Sequence, residues 1–105
     1  MNTSEQAVRA RVREALLRLY GPRLERAVLF GSRARGDARS GSDYDVAVFP
    51  RDMPDRWAEL DRLADLRVTL LDETGAFLDA RPYSAAARDQ AGPLMGEIRR
   101  EGITL

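Results

Sequence analysis

Two short apolar runs, Ala27-Val28-Leu29-Phe30 and Val46-Ala47-Val48-Phe49, lie between longer stretches of helical periodicity. The first is closed by Gly31 and the second by Pro50, so each reads as a buried strand rather than a helix segment. The second strand is expected to begin at Asp43, where Asp43-Tyr44-Asp45 alternates before the run turns apolar. The flanking stretches read as helices. Thr3, Ser4 and Gln6 look like an N-cap with a capping box, followed by Val8, Val12, Ala15, Leu16 and Leu19 at helical spacing. Pro54-Asp55 opens a long helix with an apolar stripe of Trp57, Leu60, Leu63, Ala64, Leu70 and Leu71, ending near Thr74-Gly75. Ala76 to Tyr83 reads as a third strand limited by Pro82, followed by an Ala-rich loop. Gly92-Pro93 opens a last helix through Arg100, carrying Leu94, Met95 and Ile98, and Gly102 ends it. Ile103-Thr104-Leu105 is expected as an apolar tail docked on the core. The order α-β-β-α-β-α is an α+β pattern, a small mixed sheet flanked by helices. At 105 residues it fits one domain, 1–105, with a modest core.

Composition removes several chemistries. There are 17 Lys plus Arg against 17 Asp plus Glu, so bulk charge does not predict a polyanionic partner. Every basic residue is Arg, which excludes a lysine phosphate clamp and Schiff-base chemistry. Without Cys or His there is no disulfide, no thiolate or imidazole metal site and no imidazole base. A bound metal must accept oxygen ligands, which points to Mg²⁺, Mn²⁺ or Ca²⁺. No apolar run is long enough to cross a membrane, and the start lacks the pattern of a signal peptide. The cytoplasm is the expected location.

The chemistry concentrates between Gly31 and Val48. Gly31-Ser32 follows a buried strand, where glycine lets backbone amides approach an anion closely. A helix starting at Ser32 would add free amides and a favourable dipole. Arg33 and Arg35 are close by, and a guanidinium matches phosphate oxygens in a fork. Twelve residues after Gly31 comes Asp43, then Asp45, on one face of the strand. Two carboxylates there repel unless a cation lies between them. A divalent ion resolves that repulsion and can bridge to phosphates. Each piece alone has a plain structural explanation: a tight turn, a solvated strand start, a loop pair of arginines.

Together they resemble a known signature. Gly31-Ser32-Arg33-Ala34-Arg35-Gly36 followed by Ser42-Asp43-Tyr44-Asp45 and Val46-Ala47-Val48 is similar to the motif of the DNA polymerase β-like nucleotidyltransferase superfamily. Within it the chain looks most like the minimal nucleotidyltransferases encoded beside HEPN-domain toxins. The resemblance implies the polymerase β-like fold, with Gly31 and Ser32 holding the triphosphate and Asp43 and Asp45 binding Mg²⁺ or Mn²⁺. Arg33 and Arg35 match the motif and are candidate phosphate contacts. A third strand carboxylate usually completes such a site and helps to deprotonate the acceptor. Asp79 is the candidate, with Asp72 or Glu73 in its place if the strand starts earlier. The resemblance further implies transfer of AMP from ATP to a toxin tyrosine, silencing a HEPN toxin that is an RNase.

Two other functions fit the same residues. One is an antitoxin that neutralises by contact, with idle acids. The other is a nucleotidyltransferase acting on RNA or a small molecule. Neutral charge and the lack of an acceptor-binding domain disfavour nucleic acid as a direct partner. Trp57 is expected in the core or facing a partner, Tyr44 packed on the face opposite the acids, and Arg99-Arg100-Glu101 as a solvated helix end.

Overall fold

The computed structural model describes residues 4–105. The first helix, α1 (Glu5–Tyr20), starts at Ser4, whose hydroxyl accepts from the Ala7 amide at 3.1 Å. Ser4 as the cap puts Ala7 at the third helical position, so Gln6 cannot complete a capping box. Thr3 lies outside the described residues. The remaining elements are β1 (Leu24–Phe30), α2 (Ser32–Arg35), β2 (Tyr44–Pro50), α3 (Arg56–Thr74), β3 (Leu78–Pro82), α4 (Pro93–Glu101) and β4 (Ile103–Thr104). Asp55 caps α3 through the Ala58 amide, and Gly75 ends it in the left-handed region at φ 75°.

The sheet runs β3-β2-β1-β4. β1 is antiparallel to β2 and β4, whereas β2 and β3 are parallel and joined by the α3 crossover that parallel pairing requires. One face packs under α1 and α3 through Val8, Val12, Leu16, Leu29, Val46, Val48, Leu63 and Leu70. The other carries Val28, Ala47 and Phe49 against Met95 and Ile98 of α4. The alternation along β1 and β2 therefore divides two small cores rather than one wet and one dry face.

Several elements differ from the sequence expectation. β1 begins three residues before Ala27, because backbone pairing to β2 carries it through the charged Glu25 and Arg26. β2 begins at Tyr44, leaving Asp43 just ahead of the ladder. The Ala-rich loop holds a 3₁₀ turn, Ala85–Asp89. The tail is a fourth strand: Ile103 and Thr104 pair with Leu29 and Val28, and only Leu105 packs on the core. Two residues are too few to show a period. Trp57 is 77% exposed, so it is not a core residue. Arg99 is not simply solvated, since its Nη1 donates to the carbonyls of Arg88 and Gln90 at 2.7 and 2.9 Å. Among the described residues no helix is long and apolar enough to cross a membrane.

Candidate functional site

Antiparallel pairing sets the end of β1 beside the start of β2, so Gly31 and the acids meet at one end of the sheet. Gly31 has φ 76° and ψ −159°, a region open essentially to glycine alone. Its carbonyl accepts from the amides of Ala34 and Arg35, each at 3.0 Å, which starts α2 at Ser32. A Cβ at position 31 would collide with Oδ2 of Asp45. Glycine therefore serves twice: it permits the turn and lets the backbone close onto the carboxylate.

Asp45 lies opposite Phe30 on β1 and opposite Asp79 on β3. The parallel register, fixed by the α3 crossover, thus places two distant carboxylates side by side. Asp43 joins them, and one oxygen from each of the three lies within 4.8 Å of the others. Asp43 is exposed, while Asp45 and Asp79 are half-buried. Burial pushes the Asp45 carboxyl above its ordinary range, the charges of Asp79, Asp43 and Glu97 push it further, and Arg81 opposes them. A cluster of hard oxygen donors with unrelieved negative charge suits a divalent cation such as Mg²⁺ or Mn²⁺. Asp72 and Glu73 lie on α3 instead, and Glu73 pairs with Arg11 across to α1 at 2.7 Å.

The acids open into a cleft of about 350 Å³ lined by Phe30, Gly31, Ser32, Arg35, Arg81 and Tyr83, among others. Arg35 is held by three carboxylates, Asp37, Glu97 and Glu101, at 3.1 to 3.3 Å. It ties α2 to α4 on the rim of the cleft. Arg33 turns to the other side. Its Nε and Nη2 donate to the Ser42 carbonyl at 3.3 and 3.0 Å, and its guanidinium stacks 4.5 Å from the centre of the Tyr44 ring. Tyr44 itself is buried on the face away from the acids. Arg33 thereby fixes the backbone just before Asp43, and it borders a second cleft of about 410 Å³ with Ser42, Tyr44 and Phe77.

Arg81 is the cleft residue that reading the sequence missed. It follows Asp79 by two, so strand periodicity puts both on one face, a signal present in the sequence. Its Nε and Nη2 reach both oxygens of Asp79 at 3.2 Å each. Tyr83 and Glu97 also line the cleft, and no local pattern points to either.

A family model described as a nucleotidyltransferase domain matches residues 9–90. No curated protein sequence matches the chain. Among solved structures, a protein described as a minimal nucleotidyltransferase is 29% identical with a TM-score of 0.67, covering 98% of this chain and 97% of that one. A toxin–antitoxin structure with AMP-PNP matches at 24% identity and a TM-score of 0.66, over 90% of this chain and 69% of that one. A complex of tri-AMPylated Shewanella oneidensis HEPN toxin with MNT antitoxin matches at 21% identity and a TM-score of 0.63, over 96% and 71%.

Proposed function

The chain belongs to the nucleotidyltransferase domain family, and we propose that it moves AMP from ATP to a tyrosine hydroxyl of a HEPN-domain toxin, acting as the antitoxin. The observation that carries this reading is the convergence of Asp43, Asp45 and Asp79 beside the Gly31-Ser32 turn. In this reading the three carboxylates hold Mg²⁺ or Mn²⁺. The ion would screen charge on the triphosphate and on the attacking and leaving oxygens. Gly31 and Ser32 bind the phosphates through backbone amides and a hydroxyl. Arg35 sits on the cleft's rim as a further phosphate contact. Arg33 serves the site by holding the Ser42 backbone, next to Asp43. The toxin hydroxyl attacks the α-phosphorus in line, with Asp79 placed to accept its proton. The bond to the β-phosphate oxygen breaks and pyrophosphate leaves. Similarity in fold to an antitoxin bound to an AMPylated toxin supports a protein acceptor. In this reading, with ATP as donor, the protein acts in the cytoplasm.

The test is incubation of the purified chain with labelled ATP, Mg²⁺ and a HEPN-domain toxin from the same genome. Label on a toxin tyrosine is expected, and its disappearance with Asp43→Asn plus Asp45→Asn. Absence of label on a toxin with its tyrosine intact overturns the reading. Neutralisation that survives the double substitution would establish the contact-only antitoxin, and label on tRNA alone an RNA-directed enzyme.

A further inference from the structure

The Arg81–Asp79 pair is an unusual use of a salt bridge. The guanidinium grips both oxygens of one cluster acid at 3.2 Å each. One of those oxygens is also what Asp79 would offer a cation. The pair does little for the fold. Both residues lie on β3, and the Arg81 and Asp79 side chains are 61% and 35% exposed. Exposed pairs of this kind contribute little to stability.

The surroundings leave Arg81 free to move. Across the ladder it faces the buried Ala47, and its own side chain is 61% exposed, turned out towards the cleft and solvent. Arg35, the other guanidinium lining the cleft, already holds three carboxylates, none of them in the cluster. Among the described residues, Arg81 is thus the cleft arginine whose only acid partner is a cluster acid. A planar fork that fits a carboxylate fits a phosphate equally well.

Resting on the reading of the cluster as a cation and nucleotide site, we propose that Arg81 is a gate on Asp79. Its fork competes with a divalent cation for the Asp79 oxygens and transfers to the nucleotide's phosphates when the two ligands bind together. Cation and nucleotide then help each other, because the nucleotide draws Arg81 away and so frees Asp79. By linkage the aid is mutual: each ligand raises the affinity of the other by the same factor. The cluster discriminates against a bare ion and accepts one arriving with a triphosphate.

The test measures Mn²⁺ binding by the electron paramagnetic resonance signal of the free ion, with and without a non-hydrolysable ATP analogue. The wild type is compared with Arg81→Ala, Arg81→Lys and Asp45→Asn, each first shown by circular dichroism and thermal unfolding to be folded. Without nucleotide, Arg81→Ala should bind Mn²⁺ about tenfold more tightly than the wild type, the scale on which residues around metal ligands act. The analogue's phosphates are themselves ligands of the ion, so, with uptake by the analogue alone subtracted, it should tighten Mn²⁺ in both proteins but by a clearly larger factor in the wild type than in Arg81→Ala. Arg81→Lys should resemble the alanine variant more than the wild type, because an ammonium cannot fork. Mn²⁺ affinity that is unchanged or weaker in Arg81→Ala, while Asp45→Asn abolishes binding, overturns the gate and leaves the cation site standing. Mn²⁺ uptake absent from every variant, or insensitive to Asp45→Asn, overturns the cluster reading and the gate with it.

Discussion

Replacing Gly31 with alanine should cost stability through two separable effects. The first is backbone strain: φ 76° with ψ −159° is a glycine region, and holding an L-residue there costs about 1–3 kcal/mol. The second is a collision between the new methyl and Oδ2 of Asp45, an overpacking effect of about 1–3 kcal/mol. Together they predict a loss of about 2–6 kcal/mol, a large share of the roughly 5–15 kcal/mol that holds a native protein folded. The two effects come apart in a double-mutant cycle. In an Asp45→Ala background the carboxylate is gone, so Gly31→Ala should lose only the strain, about 1–3 kcal/mol. The coupling between the two positions should then be about 1–3 kcal/mol, within the range known for residues in contact. Urea unfolding followed by far-ultraviolet circular dichroism measures it. The single tryptophan is a poor reporter, because Trp57 is already 77% exposed when folded. Equal losses in the two backgrounds would refute the claim that the turn closes against Asp45. A loss below about 0.5 kcal/mol in the native background, the scatter of ordinary surface changes, would refute the strain as well.

Asp45→Asn should raise the unfolding temperature at neutral pH without divalent ions, while abolishing nucleotidyl transfer. The Asp45 carboxyl is raised above its usual 3.8 by burial and by its acidic neighbours, so its charged form weakens the fold at higher pH. The advantage of asparagine should vanish below 3.8, where the native carboxyl is protonated whether folded or not. Glu73 has the opposite sign. Its fork with Arg11, at 2.7 and 3.1 Å, holds it below its usual 4.5. Its contribution should be complete above pH 4.5 and be lost as the pH falls below it, and urea midpoints of Glu73→Gln should lack that part of the acid dependence. Glu59 is buried at 2% exposure and accepts from Arg23 and Arg62 at 3.2 and 2.8 Å. Glu59→Gln should cost about 1.5–3 kcal/mol in equilibrium unfolding, the scale of hydrogen bonds to charged groups. A loss under about 0.5 kcal/mol would show that the half-exposed arginines simply return to water.

Legibility in the sequence followed locality. The helices carry caps and a 3.6-residue period within their own segments, so their spans are read to within a few residues. The Gly31-Ser32 turn and the Asp43, Asp45 pair are likewise local, within one contiguous stretch. Asp79 was accessible only through a resemblance, because nothing near it says which residue of β2 it will face. That depends on the register at which the α3 crossover delivers β3. Ile103-Thr104 was hidden for a related reason: a two-residue edge strand is defined by its partner, β1, rather than by its own pattern. Arg33 and Arg35 were legible as cations, but their partners were not. Ser42, Tyr44, Glu97 and Glu101 become neighbours only once α2 and α4 are docked.

The topology explains why the acids gather where they do, and how the fold tolerates them. β1 ends, while β2 and β3 begin, at the same end of the sheet, so the turn and the acids come from strand ends. Strand ends are where α4 no longer covers its face. Ala47 and Phe49, one and two same-face steps in from Asp45, pack against α4 with Val28, Met95 and Ile98. An apolar patch and a cluster of like charges thus share one side of β2, a few ångströms apart. The patch offsets the cost of holding Asp45 half-buried among acids, and the Asp79–Arg81 fork relieves part of it. A cluster moved inward would lose its access to water and ligands. A cluster moved outward would lose the register that sets Asp45 beside Asp79. The second residue of each parallel strand is the position that meets both demands, and Asp45 and Asp79 occupy it.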